Sequence, residues 1–171
     1  ELAKNGAEPN AFTSNAMTGY YFSSTERFEE NLKILLSFVS VPYFTDESVA
    51  KEQGIIGQEI RMIEDNPDWQ LYTRMMQALY SRHAARISIA GTVESISHIT
   101  AQTLYDCHKA FYTPSNMILT VVGNVDPVRI SEIAQAILPR EGGPVIPRDY
   151  GEEPAEVAQN CLLYTSPSPR D

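Results

Sequence analysis

Glu47-Ser-Val-Ala-Lys-Glu-Gln-Gly-Ile-Ile-Gly-Gln-Glu-Ile-Arg-Met-Ile-Glu-Asp65 is the stretch from which the fold is read. Wound at about 3.6 residues per turn, it puts Val49, Ile56, Ile60 and Ile63 on one side. Ile55 and Met62 lie roughly a third of a turn further round, and Lys51, Gln58, Arg61 and Asp65 face the other way. Glu52 and Glu59 break this pattern. Seven residues is about two turns, so they stack on one face, between the two apolar groups. A carboxylate there either snorkels to water on its long side chain or is held by a partner such as a hydrogen-bond donor or a metal ion. Gly54 and Gly57 each cost an exposed helix about 1 kcal/mol relative to Ala, which a close approach by a neighbouring element would explain.

Around this helix the chain reads as α+β. Glu1 to Asn5 reads as the last helical turn of a segment that began upstream, stopped by Gly6. Asn10-Ala-Phe-Thr-Ser14 and Thr18-Gly-Tyr-Tyr-Phe-Ser-Ser24 predict an antiparallel hairpin turning at Asn15–Met17, the first run being an edge strand. The aromatic run Tyr20 to Phe22 reads as core packing. A helix is predicted from about Glu26 to Val39, with Phe28, Leu32, Leu35 and Val39 inward and acids in its first turn. Thr45 caps the central helix, and Asn66-Pro67 opens the next, whose apolar face is Leu71, Met75 and Leu79. Thr92 and Thr100 start two more helices, to Ile96 and to about Tyr112. Met117-Ile-Leu-Thr-Val-Val122 is a near-continuous apolar run that predicts a central strand. Asp126-Pro127 starts a last helix with Ile130, Ile133, Ala134 and Ile137 on one face.

Composition narrows the functions. The 171 residues suffice for one domain, and a net charge of −9 disfavours nucleic acid and anionic membrane as partners. No apolar run approaches membrane-span length. Cys107 and Cys161 give neither a disulfide framework nor a metal-binding Cys-x-x-Cys pair, and with Cys161 in the end segment the single cysteine of the body suits a reducing cytoplasm. The chain opens at Glu1 without Met, so its natural start is expected upstream.

Four separated stretches, in this order, resemble the peptidase domain of the insulinase and pitrilysin family of zinc metallopeptidases. They are Asn10–Ser14 with Tyr20-Tyr21-Phe22; Glu52-Gln-Gly-Ile-Ile-Gly-Gln-Glu59; Ile89-Ala-Gly91 with Glu94-Ser-Ile96; and Phe111-Tyr-Thr-Pro-Ser-Asn-Met117 with Leu119–Gly123. The resemblance implies an incomplete domain, like that of mitochondrial processing peptidase, with an antiparallel sheet covered by helices over 1–140. It also implies a linker to a following domain over 141–159. The end, 160–171, is similar to adaptor read-through.

The resemblance further implies one zinc ion, with Glu59 as third ligand and the two ligands of a His-x-x-Glu-His motif on an upstream helix. The motif's Glu would be the general base. Glu52 would be a catalytic carboxylate acting beside the metal without binding it. Asn10, Ala11 and Phe12 would pair with a peptide substrate. None of His83, His98 and His108 has the spacing of that motif; His83 reads as a surface-loop residue, and His98 and His108 read as structural. Three functions stay open. One is a zinc endopeptidase, inactive as this piece alone. Another is a non-catalytic insulinase-like partner subunit. The third is an unrelated α+β binding domain whose Glu52 and Glu59 side chains snorkel to water. A second half-domain or related subunit is the expected protein partner.

Overall fold

The structure, a computed structural model, describes residues 1–155. A 3-10 turn at Leu2–Asn5 ends at Gly6, which takes a left-handed φ of 75°. The chain then forms a hairpin of β1 (Glu8–Thr13) and β2 (Thr18–Ser23). Six α-helices follow among the described residues: α1 (Phe28–Ser40), α2 (Asp46–Glu64), α3 (Pro67–Leu79), α4 (Val93–Ser97), α5 (Ala101–Phe111) and α6 (Pro127–Ile137).

The helix starts obey local chemistry. Thr45 and Ser48 form a reciprocal capping box, each side chain accepting the other's backbone N–H, at 3.1 and 3.0 Å. Thr92 with Ser95 repeats it at α4, and Thr100 with Thr103 at α5. Asn66 caps α3 and Asp126 caps α6, each with proline in the first turn. The first long helix starts two residues later than the sequence suggests. Arg27, at φ 51°, is left-handed and cannot be part of α1.

The hairpin is antiparallel, with Asn10 opposite Tyr21, Ala11 opposite Tyr20 and Phe12 opposite Gly19. Phe12 lies over Gly19, where a Cβ would run into its ring. Tyr20 and Phe22 turn inward as expected, while Tyr21 is half exposed and tilts against Phe12. Phe22 meets Phe28 on α1. The core lies between α1 and α6, where Leu32, Leu36 and Ile133 are buried among Phe22, Phe28, Ile130 and Ile137. Burying such side chains contributes roughly 1.5–3 kcal/mol each before chain entropy is counted.

Three expectations are corrected. Met117–Val122 is not a strand: it pairs with nothing among the described residues, and Ile118 and Val122 are 93% and 94% exposed. A strand exists only through its neighbours, and the described sheet has only two strands. The apolar face of α3 is not buried either, since Leu71, Met75 and Leu79 are all exposed. On α2 the buried residues are Val49, Gly57 and Ile60, while Ile55, Ile56 and Met62 are exposed. In each case the amphipathic pattern is present but the described chain supplies no cover.

The segment after α6 also makes contacts. The Glu153 carboxylate accepts the backbone N–H groups of Ser81 and Arg82, at 2.7 and 2.6 Å, and that of His83. Tyr150 stacks on the His83 ring. The expected tail at 160–171 and the end of the expected linker lie outside the described residues.

Candidate functional site

The site is built on α2. Its covered side is fastened by Gln53, whose amide donates to the carbonyls of Ile96 and Ile99 at 2.7 and 2.8 Å. Beside it Gly57 is buried next to Ile96, where an added Cβ would be in ordinary contact with the Ile96 side chain, at 3.9 Å. These contacts fix which way α2 is rotated. The opposite shoulder, with Glu52, Ile55, Ile56, Glu59 and Met62, is therefore open to solvent.

Glu52 and Glu59 are both exposed, and neither carboxylate has a hydrogen-bond or ion-pair partner among the described residues. Of the two alternatives open to these carboxylates, solvent is the one found, because that side of the helix has no cover among the described residues. The two side chains lie on one face about 10 Å apart along the axis. An open carboxylate framed by Ile55, Ile56 and Met62 is a donor that a further element could meet.

Zinc fits this donor set only in part. A carboxylate oxygen is an ordinary zinc ligand, and Glu59 can supply one. No group of three His, Cys, Asp or Glu side chains able to hold a metal forms among the described residues. His83 accepts the Ala85 N–H on Nδ1 in its loop, and His98 ends α4 in solvent. His108 donates from Nε2 to the Val39 carbonyl at 2.8 Å and stacks on Tyr112. His83 and His108 thus each spend a ring nitrogen on a backbone group.

The second part of the candidate site is the outer edge of β1, a fully exposed strand whose outer edge pairs with no strand among the described residues. Ser14 N–H bonds the Met17 carbonyl across the turn. Ladder alternation then points the backbone groups of residues 10 and 12 toward β2 and those of Ala11 and Thr13 outward. The outward Ala11 N–H is met by the Asn10 side chain at 2.8 Å. Asn10 and Phe12 project from the solvent face of the hairpin.

Sequence reading missed Gln53 and Tyr105. Tyr105 Oη accepts the Phe44 N–H at 3.0 Å and donates to the Phe44 carbonyl at 3.1 Å, just before the cap of α2. Neither carries a local signal; their partners are 43 to 61 residues away. A cleft of about 640 Å³ lies between α3 and the loop after it, lined by Glu64, Trp69, Arg74 and Arg86. It includes neither Glu52 nor Glu59.

Residues 1–93 match the family model described as insulinase (peptidase family M16), and residues 98–168 match that of the peptidase M16 inactive domain. The two matches meet in one core, since α1 lies in the first and α6 in the second. The chain is 57% identical over 130 residues to the uncharacterized zinc protease YmfH of Bacillus subtilis, covering 76% of this chain and 30% of that protein. It is 29% identical to the uncharacterized zinc protease YmxG of the same organism, over 75% of this chain and 32% of that protein. It thus spans about a third of the length of these curated relatives. A crystal structure described as an M16-like peptidase from Alicyclobacillus acidocaldarius superposes with a TM-score of 0.81 at 43% identity, over 90% of this chain and 37% of that one. A Helicobacter pylori protease superposes with a TM-score of 0.80 at 23% identity, over 90% and 38%, a likeness of fold.

Proposed function

This chain belongs to the insulinase family, peptidase family M16, and we propose that it is the later part of the peptidase half of a zinc-dependent endopeptidase. The observation that carries the reading is the Glu59 carboxylate on α2, uncovered and unpartnered among the described residues, within the segment that matches the insulinase model. Glu59 is the third metal ligand. Glu52, on the same face, is the carboxylate that orients a metal-binding partner side chain. Zinc, when bound, supplies a Lewis acid and a water that is nucleophilic near neutral pH. The His ligands and the general base come from an upstream helix that covers the open shoulder of α2.

The chain's own residues do the docking. A peptide pairs with the free edge of β1 through the outward groups of Ala11 and Thr13, displacing the Asn10 side chain from the Ala11 N–H. Backbone pairing of this kind gives affinity with little sequence demand, and the exposed Asn10 and Phe12 side chains flank it. We place the protein in the cytoplasm, in keeping with an exposed Cys107 that forms no disulfide among the described residues. A second half-domain or a related subunit closes over the peptide.

A second reading is a non-catalytic partner subunit. The match of residues 98–168 to a model described as inactive favours it. One experiment separates the two: metal analysis and peptide hydrolysis by the purified full-length protein. The peptidase reading expects about one zinc per chain, with hydrolysis stopped by a chelator, and Glu59→Gln losing both metal and activity. A well-folded full-length protein without zinc or hydrolysis establishes the partner reading.

A further inference from the structure

We infer that α5 is the bar that sets the spacing between the metal-ligand helix and the substrate strand, with Tyr105, His108 and Tyr112 as positioning residues. The inference rests on the peptidase reading above. The three side chains recur at helical spacing, three and four residues apart, and so share one side of α5 and its C-terminal cap.

At one end, Tyr105 holds α2. Its hydroxyl makes both hydrogen bonds of the Phe44 peptide groups, and its ring sits edge-on to the Phe44 ring at 5.2 Å. Phe44 precedes Thr45, the cap of α2, so Tyr105 fixes where that helix begins. The Gln53 bonds to Ile96 and Ile99, just before α5, fix its rotation. Glu59 then follows rigidly along the helix.

At the other end, Tyr112 holds the hairpin. Its hydroxyl meets that of Tyr20 at 2.7 Å, and Tyr20 stands directly opposite Ala11 in the β1–β2 register. His108 stacks beneath the Tyr112 ring at 4.6 Å while bonding the Val39 carbonyl at the end of α1. Phe38 from the same turn meets the Tyr20 ring edge-on at 5.7 Å. A two-stranded hairpin is marginal by itself, so its place is set by what grips β2. None of these residues lies on the open face of α2 or the free edge of β1. They act through the backbone that carries those groups, and a displacement of about 1 Å in such a frame can cost up to about a hundredfold in rate.

The test uses the full-length protein with Tyr112→Phe, Tyr105→Phe and Tyr20→Phe, each removing one hydroxyl. The readouts are kcat per bound zinc and KM for a fluorogenic peptide, with hydrogen exchange of the hairpin amides. Positioning lowers kcat per bound zinc about tenfold in each variant, with KM changed less than about twofold. Tyr112→Phe also speeds exchange at Tyr20 to Ser23 about tenfold and leaves α6 unchanged. The Tyr20→Phe, Tyr112→Phe double variant is no worse than either single one, since both break one bond. A merely structural role lowers Tm and the zinc-loaded fraction but not kcat per zinc, and that result overturns the inference. Wild-type protein without zinc or hydrolysis overturns the peptidase reading and this inference together, before any variant is compared.

Discussion

Arg129 on α6 grips both carboxylate oxygens of Glu29 on α1, at 3.0 and 2.9 Å, across 100 residues of chain. The same guanidinium bonds Glu132 at 3.0 Å. This fork closes over the edge of the α1–α6 core, and its planar two-bond geometry is one that lysine cannot copy. The Arg129 hydrogen bonds hold the Glu29 carboxyl below its ordinary range. A carboxylate whose pKa is lowered by folding stabilises the fold above its ordinary value, about 4.3, and ceases to as pH falls through the lowered value. Glu29→Gln is therefore expected to melt lower than wild type at pH 7, with the gap closing below about pH 4. A gap that stays constant through the acid range would show that the pair does not bear on stability. Added salt should narrow it at neutral pH, because both partners are half exposed.

The uncovered apolar surface predicts how this chain behaves alone. Ile118 and Val122 stand in solvent on one side of an unpaired extended segment, and Leu71, Met75 and Leu79 line an open helix face. Such surfaces bind other apolar surfaces. The isolated chain is expected to bind a hydrophobic dye and to self-associate as concentration rises. Changing Ile118 and Val122 together to Lys should reduce association without lowering Tm, since neither side chain is buried. A chain that stays monomeric and melts cooperatively at high concentration would contradict this account.

Glu153 joins the segment after α6 to the loop after α3. Loss of water around its carboxylate pushes the pKa up, but the N–H groups of Ser81, His83 and Arg82, helped by the His83 ring, outweigh this and hold it low. The contact should thus persist above the ordinary carboxylate range and open as pH falls through the lowered value. Glu153→Ala is expected to raise hydrogen exchange at Ser81, Arg82 and His83 about tenfold at pH 7, leaving α1 and α6 protected. Unchanged exchange at those three amides would mean that the carboxylate does not hold the segment.

Much of the secondary structure was legible because its signals are local. Thr45 with Ser48, Asn66-Pro67 and Asp126-Pro127 each satisfy backbone groups within one turn, so helix starts could be read from neighbours in sequence. The Met117–Val122 run was misread because its pattern reports burial in a sheet, while forming a strand needs a partner that the described chain lacks. Arg27 gave no warning, since a left-handed arginine follows no composition rule. The Glu52 and Glu59 pair was legible as one face, being a matter of helical period. Which way that face points was not, because Gln53 decides it through carbonyls more than 40 residues away.

The two glutamates of α2 are predicted to be unequal. Both are exposed, so neither substitution should disturb the fold of α2, and differences between them report on metal. Glu59→Gln replaces a charged zinc ligand with a neutral amide and is expected to abolish stoichiometric zinc in the full-length protein. Glu52→Gln removes a group that acts through another side chain, and should weaken zinc binding roughly 10- to 100-fold while leaving a saturable site. Zinc titration against a competing chelator measures both, with circular dichroism confirming equal helix content. Equal losses for the two variants would make both carboxylates direct ligands, and a larger loss for Glu52→Gln would exchange their roles.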